Sequence, residues 1–112
     1  MAEAFIYVIS EEASPYLKIG VTTDIERRLS GLQTGNPRKL FVADLVEFEC
    51  ERHAYFVESA VHSRLAGRKK QGEWFDVPVE QVTEAINRAF SELVDRRAGR
   101  GPSISDQSVT LS

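Results

Sequence analysis

The chain has 112 residues, 42% of them hydrophobic, and a formal net charge of −3, which allows one small domain with a single core and leaves too little chain for two. One cysteine, Cys50, and two histidines, His53 and His62, exclude an internal disulfide and a zinc site of Cys/His spacing, and they fit a reducing, cytoplasmic setting. No basic segment leads into an apolar run, and no stretch nears the roughly 20 apolar residues that span a bilayer, so neither secretion nor membrane insertion is expected.

Phe5 to Ile9 reads as a first strand and Tyr16 to Val21 as a second, joined as a hairpin through Glu11, Glu12, Ser14 and Pro15. The two-residue period puts Phe5, Tyr7 and Ile9 on one face of the first strand. It puts Tyr16, Lys18 and Gly20 on one face of the second, with Leu17 and Ile19 on the other. Thr23 followed by Glu26 is a capping-box pattern, so a helix is predicted from Asp24 to about Gln33, stopped by Gly35, Asn36 and Pro37. Ile25, Leu29 and Leu32 form its apolar stripe; Arg28 falls beside that stripe and Arg27 on the opposite, water-facing side.

Residues 40–48, rich in Leu, Phe and Val, predict a third strand. From Glu51 to about Ala66, the spacing of Ala54, Val57, Val61 and Leu65 marks a second helix, and Glu58 lies within the angular range of its apolar stripe. A carboxylate there needs a reason. Residues 67–72 read as a basic loop and Trp74-Phe75 as a short hydrophobic return. Val82, Ala85, Ile86, Ala89, Phe90 and Leu93 form a third helical stripe. From Ala98 onward Gly, Pro, Ser and polar residues predict a disordered tail over 98–112, leaving 1–97 as the folded unit.

The acidic balance argues against binding nucleic acid by bulk electrostatics. Positive charge is nonetheless local: residues 24–39 carry a net +2 and residues 64–70 a net +4. Arg38, Lys39, Arg68, Lys69 and Lys70 are therefore candidate phosphate contacts, with modest, salt-sensitive affinity expected. The run at 68–70 reads first as a solvated loop and second as a phosphate contact.

Ile6-Tyr7, Ile19-Gly20, Arg28 on the first helix and Glu58 on the second, in that order and spacing, resemble the signature of the GIY-YIG nuclease superfamily over roughly residues 4–76. Leu32-Gln33-Thr34-Gly35-Asn36-Pro37, the pair Glu58 and His62, and Gly72-Glu73-Trp74-Phe75 resemble its small phage-type and bacterial members. The resemblance implies an α+β fold: a small three-stranded antiparallel sheet flanked by helices, with the site on the sheet face. It also implies a DNA endonuclease that uses Mg²⁺ or Mn²⁺. In such enzymes the helix carboxylate, here Glu58, binds the metal, the arginine, here Arg28, contacts the scissile phosphate, and a signature tyrosine, here Tyr7, activates or positions water.

These roles are chemically coherent. Mg²⁺ prefers oxygen ligands and keeps several waters, so one carboxylate and a phosphate oxygen can hold it. Guanidinium offers a planar pair of donors to phosphate. A phenol with its ordinary pKa near 10 is a poor base unless a cation lowers it. Two positions depart from the signature: Phe5 stands at its first glycine, and Lys18 at the first tyrosine of its second half, with Tyr16 two residues earlier on the same face. Lys18 offers a positive charge in the phenol's place; a weakened site is the alternative. His62, one turn after Glu58, can orient water, bind phosphate or hold the carboxylate.

Each residue also has a purely structural reading. Tyr7 fits a core aromatic, Gly20 a turn, Arg28 a solvated helix charge and Glu58 a simple ion-pair partner. Trp74 and Phe75 fit a core plug as well as a base-stacking platform. At the level of function the alternatives are a module of the same fold that binds nucleic acid without cutting it, and a protein-interaction domain, including a homodimer, that uses its acidic surface.

Overall fold

The computed structural model describes residues 3–97; the tail expected over 98–112 lies outside the described residues. Strands β1 (Ala4–Glu11), β2 (Leu17–Thr22), β3 (Leu40–Phe48) and β4 (Trp74–Phe75) form one antiparallel sheet in the order β3-β1-β2-β4. Helices α1 (Ile25–Thr34), α2 (Glu51–Arg64) and α3 (Val79–Arg97) complete the fold.

The sheet has one strand more than expected. Trp74-Phe75 is long enough to pair with Leu17 and Lys18, because the loop before it turns back at Gly72, whose φ of +61° favours glycine. Phe75 is fully buried, so the return is a strand as well as a plug.

Strand β1 lies between β2 and β3, and its alternation divides the core into two parts. Ala4, Ile6 and Val8 join Leu17, Ile19, Phe48 and the buried stripes of α2 and α3. Tyr7 and Ile9 join Leu40 and the α1 stripe of Ile25, Leu29 and Leu32. The two clusters use alternate β1 residues, so α1 covers one face of the sheet, and α2 with α3 the other.

The imperfect alternation of residues 40–48 has a cause in the pairing. Val8 opposes Asp44 while Ile9 opposes Val42, so Ala43 is an extra residue, a β-bulge. The bulge reverses the facing of the strand: Leu40 and Phe48, which strict alternation would put on one side, enter opposite clusters.

Three helix details differ from expectation. The α1 cap is Asp24, whose Oδ1 accepts from the Arg27 backbone N–H at 3.1 Å, while Thr22 Oγ1 braces Asp24 from outside at 3.1 Å. Carboxylate suits this end because the first-turn N–H groups are otherwise unpaired. Helix α2 ends at Arg64, and Ala66–Arg68 continues as one 3₁₀ turn. Phe90 is 46% exposed and packs edge-on against Phe48 at 6.0 Å, outside the buried α3 stripe.

The Gln33-to-Pro37 segment is a clamp for the α1–β3 connection. Gln33 Nε2 donates to the carbonyls of Arg38 (2.8 Å) and Asn36 (3.2 Å), and its Oε1 accepts from the Leu40 N–H at 2.9 Å. Gln33→Ala is expected to lower stability by about 1–3 kcal/mol through the three lost partners. That corresponds to a melting temperature lower by roughly 4–8 °C per kcal/mol. An unchanged thermal melt would show the clamp to be energetically idle.

Candidate active site

Tyr7 leaves β1 on the α1 side, opposite Gly20 of β2 in the register. Its ring lies so close over the β2 backbone that a Cβ at Gly20 would sit 2.6 Å from Tyr7 Cζ. Glycine is required here for close approach, not for an unusual φ. Arg28, in the first turn of α1, donates through Nε to the Tyr7 oxygen at 3.2 Å. Its guanidinium carbon lies 5.9 Å from the Tyr7 ring centroid. Among the described residues, the terminal N–H groups of Arg28 have no hydrogen-bond partner. The residue is exposed at a cleft of about 340 Å³ lined by Thr22, Thr23, Asp24, Arg27, Arg28 and Gly31. Arg27 shares the cleft but does not bond Tyr7.

Burial pushes the Tyr7 pKa above its ordinary value; the Arg28 hydrogen bond opposes this, and the negative charges of Glu73 and Glu58 add to it. Tyr7 therefore keeps its proton at neutral pH. Tyr7 is 1% exposed and accepts from Arg28 through its oxygen, so the arrangement supports a buried, protonated phenol that holds Arg28 at the edge of the cleft rather than one that removes a proton.

Glu58 is presented by α2, and its side chain is 16% exposed. Nε2 of His62 lies 3.2 Å from Glu58 Oε2 and 3.0 Å from the Ile19 carbonyl oxygen. Both neighbours are acceptors, so Nε2 carries the proton and His62 ties the carboxylate to β2. The ring is further fixed edge-on to Phe75 at 4.9 Å. Burial raises the Glu58 pKa above the usual carboxylate value; His62 opposes this and Glu73 reinforces it. Glu58 makes the smallest of the contributions that raise the Tyr7 pKa; α2 covers the sheet face opposite α1, and among the described residues no hydrogen bond or ion pair joins Glu58 to Tyr7 or Arg28.

Lys18 Nζ lies 5.5 Å over the Trp74 ring and 3.5 Å from Glu73 Oε1. That oxygen is buried and has no hydrogen-bond partner, although the Glu73 side chain as a whole is 40% exposed. Glu73 acts electrostatically on Tyr7, Arg28 and Glu58. Sequence reasoning gave this residue no role. Its only signal was its place in Gly72-Glu73-Trp74-Phe75, beside the aromatic pair that locks β4 to β2.

Among the described residues no three His, Cys, Asp or Glu side chains gather in a metal-holding cluster. The donor chemistry nevertheless suits a hard divalent cation: the charge of Glu73 reinforces the raised pKa of Glu58, and a cation beside the two carboxylates would offset it.

The basic candidates divide. Arg68 donates to the Asp76 carbonyl at 3.2 Å, and Lys69 bridges to Phe75, so both help to anchor the loop. Lys39 Nζ lies 5.5 Å over Phe41, and the exposed Arg38 contributes its backbone to the Gln33 clamp. Lys70 lines a second cleft, with Glu11, Tyr16, Asn36, Gln71 and Trp74. Tyr16 is thus drawn to that cleft and not to Tyr7. No helix of the described residues is long and apolar enough to cross a membrane.

Compared with known protein families, residues 4–90 match the T5orf172 domain, from the start of β1 into α3. No curated protein and no solved structure matches the chain.

Proposed function

The chain belongs to the T5orf172 domain family, and from that premise we propose that it is a metal-dependent endonuclease of the GIY-YIG kind, hydrolysing phosphodiester bonds of DNA. The observation that carries this reading is the Arg28–Tyr7 hydrogen bond, formed over Gly20 within electrostatic reach of Glu58. A phosphate-binding cation, a fixed phenol and a carboxylate from three separate elements serve no evident packing purpose in common.

In this mechanism Arg28 donates its terminal N–H groups to the scissile phosphate, since Nε is taken by Tyr7. Those donors offset the negative charge that builds on the phosphoryl oxygens. Tyr7 stays protonated and holds Arg28 at the edge of the cleft. Lys18 adds positive charge from β2, and Glu73 holds it in place. Glu58 would hold Mg²⁺ or Mn²⁺, with the Glu73 carboxylate nearby, and the bound ion would supply further positive charge against the phosphate. His62 acts through Glu58 by fixing its carboxylate.

Plasmid nicking in Mg²⁺ or Mn²⁺ tests the assignment. Arg28→Ala is expected to lower the rate by at least about 100-fold, while Arg27→Ala leaves it little changed; the reverse ranking would remove Arg28 from the site. A second reading, binding without cutting, draws support from Lys18, which stands in the strand position of a signature tyrosine and is already paired with Glu73. Low-salt binding of DNA with no nicking in either metal would favour it.

A further inference from the structure

The second cleft, about 250 Å³ between Tyr16, Trp74, Glu11, Asn36, Lys70 and Gln71, has no part in the mechanism above, yet its lining is chemically mixed in a particular way. It has two aromatic walls, side-chain amides, one carboxylate and one lysine. We propose that it is a nucleobase pocket, which seats one unstacked base of the DNA strand beside the cleavage site. The inference rests on the proposed action on DNA and names the form of DNA that fits: a strand with an unpaired or extruded base.

Four observations support this. Trp74 is only half-buried while its neighbour Phe75 is sealed in the core, so the pair divides into an anchor and a wall. Planar aromatic side chains bind any base through its π-face, and a lysine at the rim holds the adjoining phosphate. Glu11 is fixed through one oxygen by the Asn36 amide at 3.0 Å. Among the described residues its other oxygen has no partner, and it can accept from the exocyclic amine of a base, as carboxylates do with cytosine.

Position gives the last argument. Tyr16, Lys18 and Gly20 follow one another on one face of the chain entering β2, and Lys18 touches both Trp74 and Glu73. The cleft therefore stands roughly 13 Å along the strand from the Tyr7–Gly20 contact. That is a span of about four stacked nucleotides, or fewer extended ones. A strand whose phosphate meets Arg28 can place a nearby base between Tyr16 and Trp74.

Trp74 is the only tryptophan of the chain, so its emission reports on this cleft directly. The full-length protein, without divalent ions to prevent cleavage, is titrated with a short oligo(dC) and with an abasic oligomer of the same length and charge. Oligo(dC) is expected to quench Trp74, while the abasic oligomer, at saturation, leaves its emission nearly unchanged. Tyr16→Ala, checked for folding by circular dichroism, is expected to weaken oligo(dC) binding by about 5- to 150-fold. It should leave abasic binding, followed by anisotropy of a labelled strand, as it was. Equal quenching by the abasic oligomer, or equal weakening of both ligands by Tyr16→Ala, would overturn the proposal. A protein that nicks DNA but fails this test loses the pocket and keeps its hydrolytic reading; one that passes and cuts nothing loses the hydrolytic reading alone.

Discussion

Glu58→Gln is expected to lower plasmid nicking by about 10²–10³-fold, the loss that follows when several kcal/mol of charge stabilisation by a cation disappears, and to raise the melting temperature at neutral pH. Glutamine keeps the volume of the side chain and an acceptor for His62 Nε2, so the 3.2 Å and 3.0 Å contacts of the ring can persist. What it removes is a charge that burial and Glu73 disfavour. A carboxylate whose folded pKa lies above its unfolded one reduces stability when ionised. That reduction is absent below the unfolded pKa, grows as pH rises to the folded value, and is complete above it. The stability gain of Glu58→Gln should therefore be full at neutral pH and vanish in acid. Thermal melts at neutral and acid pH, run beside the nicking assay, check both halves. Undiminished nicking would remove Glu58 from the site, and a lower neutral-pH melting temperature would refute the cost assigned to its burial. Both results together would mark Glu58 as a carboxylate retained for function against stability.

Gly20→Ala is expected to damage fold and site together. The three atoms nearest the added Cβ all belong to Tyr7, including Cζ at 2.6 Å and Cε2 at 3.1 Å. Overpacking of this kind costs about 1–3 kcal/mol, or roughly 4–8 °C of melting temperature per kcal/mol. The phenol can yield only by leaving the position from which Arg28 holds it, so nicking should fall by about tenfold or more. A double-mutant cycle isolates the cause. In a Tyr7→Ala background the same Gly20→Ala change should be close to neutral for stability, giving a coupling of about 0.5–3 kcal/mol. Additive effects would mean that glycine serves the β2 backbone and not the ring beside it.

Local chemistry alone determined much of this protein. Apolar pattern and breakers placed β1, β2, β3 and the three helices within a few residues, because Phe5–Ile9 is an apolar run of strand length set off by turn residues, while the helical period is plain in Ile25, Leu29 and Leu32 and in Val82, Ala85, Ile86 and Ala89. Arg28 was separable from Arg27 by angle on the helix, and the structure puts Arg28 on Tyr7. Of three other features, two depended on partners distant in sequence and one on a close neighbour. Trp74-Phe75 is too short to declare itself a strand until β2 offers it an edge. The cap at Asp24 won over Thr23 because Thr22 braces it from outside the helix. Phe90 has the spacing of a core residue, but α3 meets α2 and the sheet along Val82, Ala85, Ile86, Ala89 and Leu93, which leaves Phe90 on the rim.

The site shows the same division more sharply. Residue types and their order suggested Tyr7, Arg28 and Glu58, but whether a phenol on one sheet face and a carboxylate on a helix covering the other could influence each other was a matter of packing. Tertiary structure alone decided that Glu73 enters their electrostatic neighbourhood, that His62 is occupied in holding Glu58, and that Tyr16 and Lys70 meet in a second cleft. Periodicity describes one element at a time, whereas a pKa, an ion pair such as Lys18–Glu73 or a cleft arises from distances between elements, which no local pattern encodes.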